Sequence, residues 1–239
     1  QTRDPPPLDR DGQHTRLLQM ILEPGTPTVV VLIHGNPLTC GYVYDHAPAV
    51  LEGWYLGQET GHAIADAIFG DVNPGAKLPV TLARSAGHLP AYYSQKPTGF
   101  LKDYLFEKEG PYFRFGHGLS YTTFEYSGLA LEQSEIALGE STKVSVDVTN
   151  TGDCLGDEVV QMYIRDNVAT VTRPEMLLKG FTRITLKPGE SRKVTFDIRP
   201  EELTFTGLDY KPTVEAGTFN IMVGTSSEKY DTVVMTVTG

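Results

Sequence analysis

The chain has 239 residues, enough for one large domain or for two that each bury a core, and the patterning described below favours two. Its formal net charge of −10 argues against a nucleic-acid partner, because binding to phosphates needs clustered Lys and Arg. No apolar run approaches the ~18 residues of a membrane-spanning helix. These numbers predict a globular protein that binds neither nucleic acid nor membrane.

The N-terminal part of the chain has the pattern of an α/β layer. Apolar residues at helical spacing predict a helix over 13–23, and a continuous β-branched run over 28–33 predicts a strand buried on both faces of a parallel sheet. A short helix is expected around 47–54, and a longer one over 59–69, which Gly70 would end. Only one parallel strand is convincing in this part, so the α/β domain is predicted to be incomplete.

From Thr122 onward the apolar residues alternate with a period of two, which is typical of half-buried strands. Turn-forming residues separate eight predicted strands, at about 123–131, 142–149, 157–165, 176–185, 191–198, 203–206, 216–224 and 232–238. The predicted fold class is therefore an incomplete α/β sandwich segment over residues 1–119, followed by an immunoglobulin- or fibronectin-like all-β sandwich over residues 120–239.

Two smaller predictions concern individual side chains. Cys40 and Cys154 fall in different predicted domains, so each is expected to be a buried free thiol, with a disulfide as the alternative. The aromatic residues of the sandwich fall at core-like alternating positions, which leaves no aromatic platform on one face. They are Tyr163, Phe181, Phe196 and Phe219.

Several motifs together are much more specific than any one of them alone. They are Trp54-Tyr55-Leu56-Gly57-Gln58-Glu59, continuing to Asn73-Pro74-Gly75-Ala76-Lys77-Leu78-Pro79; Phe115-Gly116-His117-Gly118-Leu119-Ser120-Tyr121; and Gly156-Asp157-Glu158-Val159-Val160 with Arg173-Pro174 and Leu178-Lys179-Gly180-Phe181. In this order they resemble the family 3 glycoside hydrolases, the β-glucosidase and β-xylosidase family. The resemblance implies that residues 1–119 form the C-terminal part of the family's α/β sandwich domain and that residues 120–239 form a fibronectin type III-like domain.

The resemblance implies a part of a retaining, exo-acting β-glucosidase that removes terminal β-linked glucose from oligosaccharides, with a β-xylosidase as the alternative. Such a reaction needs two carboxyl groups about 5–5.5 Å apart. In the family the nucleophilic Asp lies on a (β/α)8 barrel, which needs roughly 200 residues or more and is not expected here. The acid/base Glu would fall just upstream of Gln1. No catalytic residue is assigned within the chain, and the barrel part of the same enzyme and the oligosaccharide are the expected partners.

Two sets of residues are candidates for the edge of a sugar site. Arg3 and Asp4 would follow the acid/base residue and could bind substrate, although a frayed surface terminus explains them equally well. The segment 91–115 is rich in Tyr and Phe, which could either pack a domain junction or help to form the mouth of the site.

The loop His34-Gly35-Asn36-Pro37 follows the predicted strand and is similar to an oxyanion loop of α/β-hydrolases. That fold also needs a Gly-x-Ser-x-Gly elbow and a later His, and the nearest candidate, Ser85, follows a proline-broken stretch. In the glycosidase family Asn-Gly-Arg-Pro is common at this loop, so His34 and Asn36 depart from the pattern. Altered loop contacts are expected, without a change of function.

The six His residues form no metal-ligand spacing, so no metal and no cofactor are expected. The family resemblance implies a secreted or periplasmic location. A homodimer is a further possibility, beside a monomer. A rival interpretation is that the chain alone acts as a non-catalytic carbohydrate-binding or structural module.

Overall fold

The computed structural model describes residues 13–97 and 110–239. The described residues divide into two compact units. The α/β unit contains residues 13–72, 80–92 and 110–114, and the sandwich unit contains residues 73–79, 93–97 and 115–239. The domain boundary predicted between residues 119 and 120 stays a prediction.

The α/β unit contains three helices and one pair of strands. In chain order they are α1 (Gln13–Leu22), β1 (Val29–Leu32), α2 (Gly41–His46), β2 (Ala49–Glu52) and α3 (Thr60–Phe69), with 3₁₀ turns at Gly57–Glu59 and Ala86–His88. Strands β1 and β2 pair in parallel, with Val29 opposite Ala49 and Leu32 opposite Glu52. The helix predicted over 13–23 is confirmed as α1, and the strand predicted over 28–33 is confirmed as β1. Its predicted burial on both faces is wrong, because Val29 is exposed and the other three residues of β1 are only half-buried.

The helix predicted over 59–69 is confirmed as α3, and it ends where the sequence predicts. Gly70 has a φ of 82°, a left-handed conformation that glycine adopts without strain, and its N–H donates to the Ala67 carbonyl. The chain cannot continue the helix from this conformation. The following turn leads to Asn73, where the sandwich unit begins.

The short helix predicted around 47–54 is wrong. Helix α2 lies earlier, and residues 49–52 form strand β2. A short apolar run such as Ala49-Val50-Leu51 is equally compatible with a helix and with a strand, and here pairing with the apolar β1 decides in favour of the strand. The unit therefore has two parallel strands where one was predicted.

The sandwich unit is all-β, as predicted, and its strands form two sheets and a hairpin. The strands are β3 (Phe124–Leu131), β4 (Glu135–Ala137), β5 (Thr142–Asn150), β6 (Gly156–Asp166), β7 (Leu177–Leu186), β8 (Ser191–Ile198), β9 (Phe205–Thr206), β10 (Pro212–Thr213), β11 (Gly217–Gly224) and β12 (Tyr230–Thr238). The larger sheet has the order β4-β12-β11-β6-β7 and the smaller one β3-β5-β8, while β9 and β10 pair with each other. A one-turn helix, α4 (Pro200–Leu203), precedes β9.

The core of the sandwich lies between the inward faces of the two sheets. In β5 the buried positions alternate at Val144, Val146 and Val148, which is the predicted period of two. One continuous cluster of buried side chains joins β5, β6, β8, β11 and β12. The alternation in the sequence therefore places the apolar residues correctly over most of this unit.

One predicted core aromatic lies on the wrong face. Tyr163, Phe196 and Phe219 are buried, but Phe181 is 68% exposed. The neighbouring Gly180 takes the inward position of β7, where a Cβ would lie 3.0 Å from the Phe196 ring. The absence of a side chain at Gly180 leaves room for Phe196, and the pleat then turns Phe181 outward.

A segment upstream of the predicted sandwich belongs to the sandwich unit. The Leu78 N–H donates to the His117 carbonyl and the Gly116 N–H donates to the Leu78 carbonyl, both at 2.8 Å. A Cβ at Gly118 would lie 2.3 Å from the Ala76 carbonyl oxygen, so only glycine permits this approach. Residues 73–79 therefore run beside residues 115–118 as part of one compact body.

Candidate functional site

A buried histidine and a buried carboxylate meet at the carboxyl end of the two parallel strands. His34 lies two residues beyond β1, and Glu52 is the last residue of β2, so parallel pairing brings them together. The His34 Nε2 atom contacts Glu52 Oε1, and the two side chains are 9% and 14% exposed. The carboxyl end of parallel strands is where open α/β sheets commonly bind ligands.

A tyrosine completes this cluster. The Tyr44 hydroxyl, from α2, lies 3.4 Å from Glu52 Oε2. Burial raises the pKa of the Glu52 carboxyl, and the His34 ring only partly offsets that effect. Burial beside the Glu52 charge also raises the pKa of the Tyr44 hydroxyl and that of the Cys40 thiol. Raised pKa values in one place mark a low-dielectric site where an added proton is favoured.

The backbone next to this cluster is held in a rare conformation. Trp54 has a φ of 53°, which a bulky side chain seldom adopts outside a constrained setting. Its ring stands edge-on to the His34 ring, with the ring centroids 5.1 Å apart. The Gly53 N–H donates to the Leu32 carbonyl at 2.8 Å, which continues the β1–β2 ladder into the strained turn.

An aromatic cluster extends from Tyr44. The Tyr44 ring lies 5.4 Å from the Tyr112 ring and 5.1 Å from the Phe113 ring. The Tyr112 hydroxyl donates to Asp45 at 2.8 Å, and the Arg84 guanidinium stands 4.5 Å above the Tyr112 ring. These contacts fix Tyr44, and through it they hold one oxygen of Glu52.

The arrangement can hold a proton between a carboxylate and an imidazole. His34 Nδ1 is buried and has no hydrogen-bond partner among the described residues. A buried donor or acceptor without a partner is unfavourable by about 1–3 kcal/mol. The pair can therefore orient a polar group or carry a proton, while its low exposure keeps bulk water away.

The sandwich unit contains a second buried charged group, and its partners are structural. Lys77 Nζ contacts Glu158 at 3.1 Å, and the Tyr126 hydroxyl donates to the same carboxylate at 2.9 Å. Burial raises the pKa of Glu158, an effect that Lys77 and Tyr126 partly offset. All three side chains are satisfied by one another, so the group fixes residues 73–79 on the sandwich.

Asn73 has a similar role at the start of that segment. Its side-chain amide donates to the Leu155 carbonyl at 2.9 Å, and its Oδ1 accepts hydrogen bonds from the Ser120 hydroxyl and the Tyr121 N–H. The motifs Asn73-Pro74-Gly75 and Ser120-Tyr121 are therefore joined by hydrogen bonds within the sandwich unit. This pattern is that of a scaffold.

The substrate-binding residues predicted from the sequence cannot be placed in either unit. Arg3 and Asp4 lie outside the described residues. Of the aromatic segment 91–115, Tyr112 and Phe113 belong to the α/β unit. Tyr93 and Phe115 belong to the sandwich unit, where their rings stack 4.3 Å apart. The contacts of the described rings are packing contacts, and contact with a sugar stays a prediction.

Sequence reasoning missed the His34–Glu52 pair. The sequence places His34 in a loop that is similar to an oxyanion loop and departs from the family pattern, and it predicts a helix at Glu52. The available signal was a polar residue directly after an apolar strand. Its partner could not be found without the second parallel strand.

Both cysteines are free, as predicted, but each is half-buried where a buried thiol was expected. Within residues 13–97 and 110–239, no three His, Cys, Asp or Glu side chains gather as a metal ion would require. No helix in those same stretches is long and apolar enough to cross a membrane.

Two family models match the chain. Residues 2–121 match the glycosyl hydrolase family 3 C-terminal domain. Residues 158–227 match the fibronectin type III-like domain. The two matches follow the order that the motifs predict.

Curated relatives and solved structures extend these matches. A β-xylosidase from Formosa agariphila is 48% identical over 235 residues, covering 96% of this chain and 32% of the relative. A periplasmic β-glucosidase from Salmonella typhimurium is 42% identical over 223 residues, covering 89% of this chain and 29% of the relative. The structure of a β-glucosidase from Erythrobacter marinus has a TM-score of 0.92 at 44% identity, covering 95% of this chain and 30% of that chain. The chain thus spans about a third of the length of the curated relatives it matches.

The strands, the motifs and the comparisons agree on one assignment. The match to the first family model extends over half of the 239 residues, and the all-β unit follows it as the motifs predict. The chain belongs to glycosyl hydrolase family 3, and it carries the family's C-terminal domain followed by a fibronectin type III-like domain.

Proposed function

We propose that this chain is part of a retaining, exo-acting β-glucosidase that hydrolyses terminal β-linked glucose from oligosaccharides. The observation that carries the proposal is similarity over nearly the whole chain to relatives named β-glucosidase, in both sequence and structure. The chain supplies scaffold and the rim of the sugar site. A (β/α)8 barrel of the same enzyme supplies the nucleophilic Asp, and the acid/base Glu also lies outside the described residues.

The buried groups of the described units fit a supporting role. Retaining hydrolysis needs two carboxyl groups that face the sugar about 5–5.5 Å apart. Glu158 is held by Lys77 and Tyr126, and Glu52 is held by His34 and Tyr44. Carboxylates held in this way order the loops around them. Neither Glu52 nor Glu158 is therefore proposed as the nucleophile or the general acid.

A β-xylosidase is the second candidate function, and a specific observation favours it. The relative that is 48% identical is named β-xylosidase, and a second relative from Formosa agariphila, 44% identical, is named putative β-xylosidase. Glucose and xylose differ by one hydroxymethyl group, so a few side chains around that group decide between them. By analogy with the periplasmic relative, the enzyme is proposed to work in the periplasm or outside the cell.

The proposal is tested by reconstitution. The purified chain is assayed with aryl β-glucoside and aryl β-xyloside, alone and together with a barrel-bearing polypeptide of the same enzyme. Hydrolysis is expected only with both, and the ratio of kcat/KM for the two substrates decides between glucosidase and xylosidase. Native mass spectrometry of the sample shows whether a larger polypeptide accompanies the chain. Hydrolysis by the rigorously isolated chain would contradict the proposal.

A further inference from the structure

The tip of the β9–β10 hairpin presents an aromatic side chain in an unfavourable backbone conformation. The turn is closed by hydrogen bonds from the Tyr210 N–H to the Gly207 carbonyl, at 3.0 Å, and from the Gly207 N–H to the Lys211 carbonyl, at 2.9 Å. Tyr210 has a φ of 62°, the left-handed region that Gly and Asn adopt readily and Tyr does not. A tyrosine here destabilises the turn relative to either of those residues.

Packing does not offset this strain. The Tyr210 side chain is 89% exposed, and the neighbouring Leu208 is 77% exposed. Burial of an aromatic ring is the usual compensation for a strained backbone, and it is absent at this turn. A strained residue whose ring projects into solvent indicates a functional use of the ring.

The hairpin belongs to one end of the sandwich. The loop between β6 and β7 contacts the hairpin through the Arg173 guanidinium, which stands 4.7 Å from the Phe205 ring. The same loop also contacts the segment after β10, where the Thr170 N–H donates to Glu215 at 2.9 Å. The same loop carries Val168, which is 78% exposed. Exposed apolar side chains thus lie both on the hairpin, at Leu208 and Tyr210, and on the loop that contacts it, at Val168.

The groups beside Tyr210 are polar and exposed. Asp209 Oδ1 accepts a hydrogen bond from the Lys211 N–H at 3.1 Å, and the two charged side chains are 60% and 78% exposed. A ring flanked by a carboxylate and an ammonium group offers one apolar face with donors and acceptors at its edge. A docking surface for another protein would instead be depleted of charge at its centre.

We propose that Tyr210, with Asp209 and Lys211, forms an accessory binding surface for a β-linked oligosaccharide on the sandwich unit. A β-linked glucose or xylose ring carries its hydroxyls at the equator and C–H groups on its faces, so it can stack on the tyrosine while its edge meets the charged pair. The choice of this sugar class rests on the proposed function.

The test is a binding titration that requires no hydrolysis. The chain is titrated with cellohexaose and with xylohexaose by isothermal calorimetry, and the wild-type chain is expected to bind at least one of them weakly. Tyr210→Ala is expected to weaken binding about fivefold or more, because a stacked ring contributes roughly a kilocalorie per mole. Tyr210→Phe keeps the ring and is expected to stay within about twofold of the wild type.

Two further variants separate binding from folding. Tyr210→Asn removes the ring and relieves the left-handed strain, so it is expected to lose affinity while the Tm rises. A purely structural tyrosine would lose stability in this variant. Phe181→Ala removes another exposed aromatic ring, on β7, and is expected to leave the affinity unchanged.

Several outcomes would overturn the proposal: no binding by the wild-type chain, equal affinity of Tyr210→Ala, or self-association in sedimentation velocity that Tyr210→Ala abolishes. The last result would mean that the surface binds a second copy of the chain. Failure of the proposed enzyme function is distinguishable, since it appears as absent hydrolysis in the reconstituted sample while binding through Tyr210 persists.

Discussion

The sandwich unit and the α/β unit differ in how far each buries its own apolar residues. In the sandwich, side chains from both sheets form one cluster that includes Val144, Ile221 and Met235, each fully buried. In the α/β unit, none of the residues of α1, α2 and α3 is buried, and Leu17 and Met20 of α1 are more than half exposed.

The contrast in burial between the two units shows that a segment can form regular helices and strands without enclosing a buried core of its own. Helix α1 is amphipathic and β1 is wholly apolar, so both have the composition of elements that lie against further structure. Without such burial a helix of ten residues is marginally stable. The stability of the described chain is therefore expected to reside mainly in the sandwich.

The largest expected effect comes from equal truncations in the two units. Ile221→Ala in the sandwich core is expected to lower the free energy of unfolding by about 4 kcal/mol, because it leaves a cavity among buried side chains. Ile21→Ala on α1 removes the same atoms from an exposed site and should change it by less than about 0.5 kcal/mol. Urea denaturation followed by far-UV circular dichroism measures both. Similar losses would mean that the α/β unit is as well packed as the sandwich.

The second test asks whether residues 73–79 stabilise the sandwich. Lys77→Met leaves the Glu158 carboxylate buried without its cation, and the expected loss is about 3 kcal/mol at neutral pH. Because burial already raises the pKa of Glu158, the variant is expected to recover stability as the pH falls and the carboxyl takes up a proton. Lys187→Met, at an exposed turn, is the control. A pH-independent loss would contradict this interpretation.

A third comparison lies within the α/β unit, which has one buried and one exposed Glu–His pair. Glu52→Ala strands His34 in a buried site and is expected to destabilise the unit by roughly 1–3 kcal/mol. Glu59→Ala breaks the exposed pair with His62 and should have an effect below about 0.5 kcal/mol. Trp54 is the single tryptophan of the chain, so its fluorescence reports on this unit alone. If Glu52→Ala and Glu59→Ala shift the fluorescence-detected unfolding transition equally, the buried pair is no more stabilising than the exposed one.

The smallest effect concerns pH. Burial lowers the pKa of His117, and the neighbouring Lys77 and Lys229 lower it further, with Glu228 opposing them. The neutral ring is favoured in the folded state, so its contribution to stability is present above the usual histidine pKa of 6.5 and is lost as the pH falls through the lower folded-state pKa. His117→Gln should flatten the acid side of the stability profile, measured by Tm against pH. An unchanged profile would exclude the effect.

The strands of the sandwich could be predicted from the sequence because a period of two leaves little ambiguity over eight or nine residues. The observed strands Thr142–Asn150 and Ser191–Ile198 begin and end within a residue of the predicted ones. Short elements carry less signal. The sequence does not predict β4 and β10, and it predicts β2 as a helix because a run of three apolar residues fits both structures.

The candidate site was harder to predict, since it depends on pairing between distant residues. His34 and Glu52 meet only through the parallel register of β1 and β2, which no local pattern reveals. The left-handed backbone conformations of Trp54 and Tyr210 could not be predicted from the sequence either, because bulky residues rarely adopt a positive φ. The family motifs, in contrast, could be recognised directly, and the family assignment is confirmed.

A domain is usually moved between genes as one continuous stretch of sequence. The Lys77–Glu158 contact restricts where such a stretch can begin if the sandwich is to keep its buried ion pair. A fusion that copied only the codons from residue 120 onward would carry a buried carboxylate into its new host without the counter-ion that accompanies it here. The two residues must be transmitted together, with residues 80–92 and 110–114 of the other unit between them. A fragment that keeps this ion pair therefore has to begin before Lys77, not at residue 120.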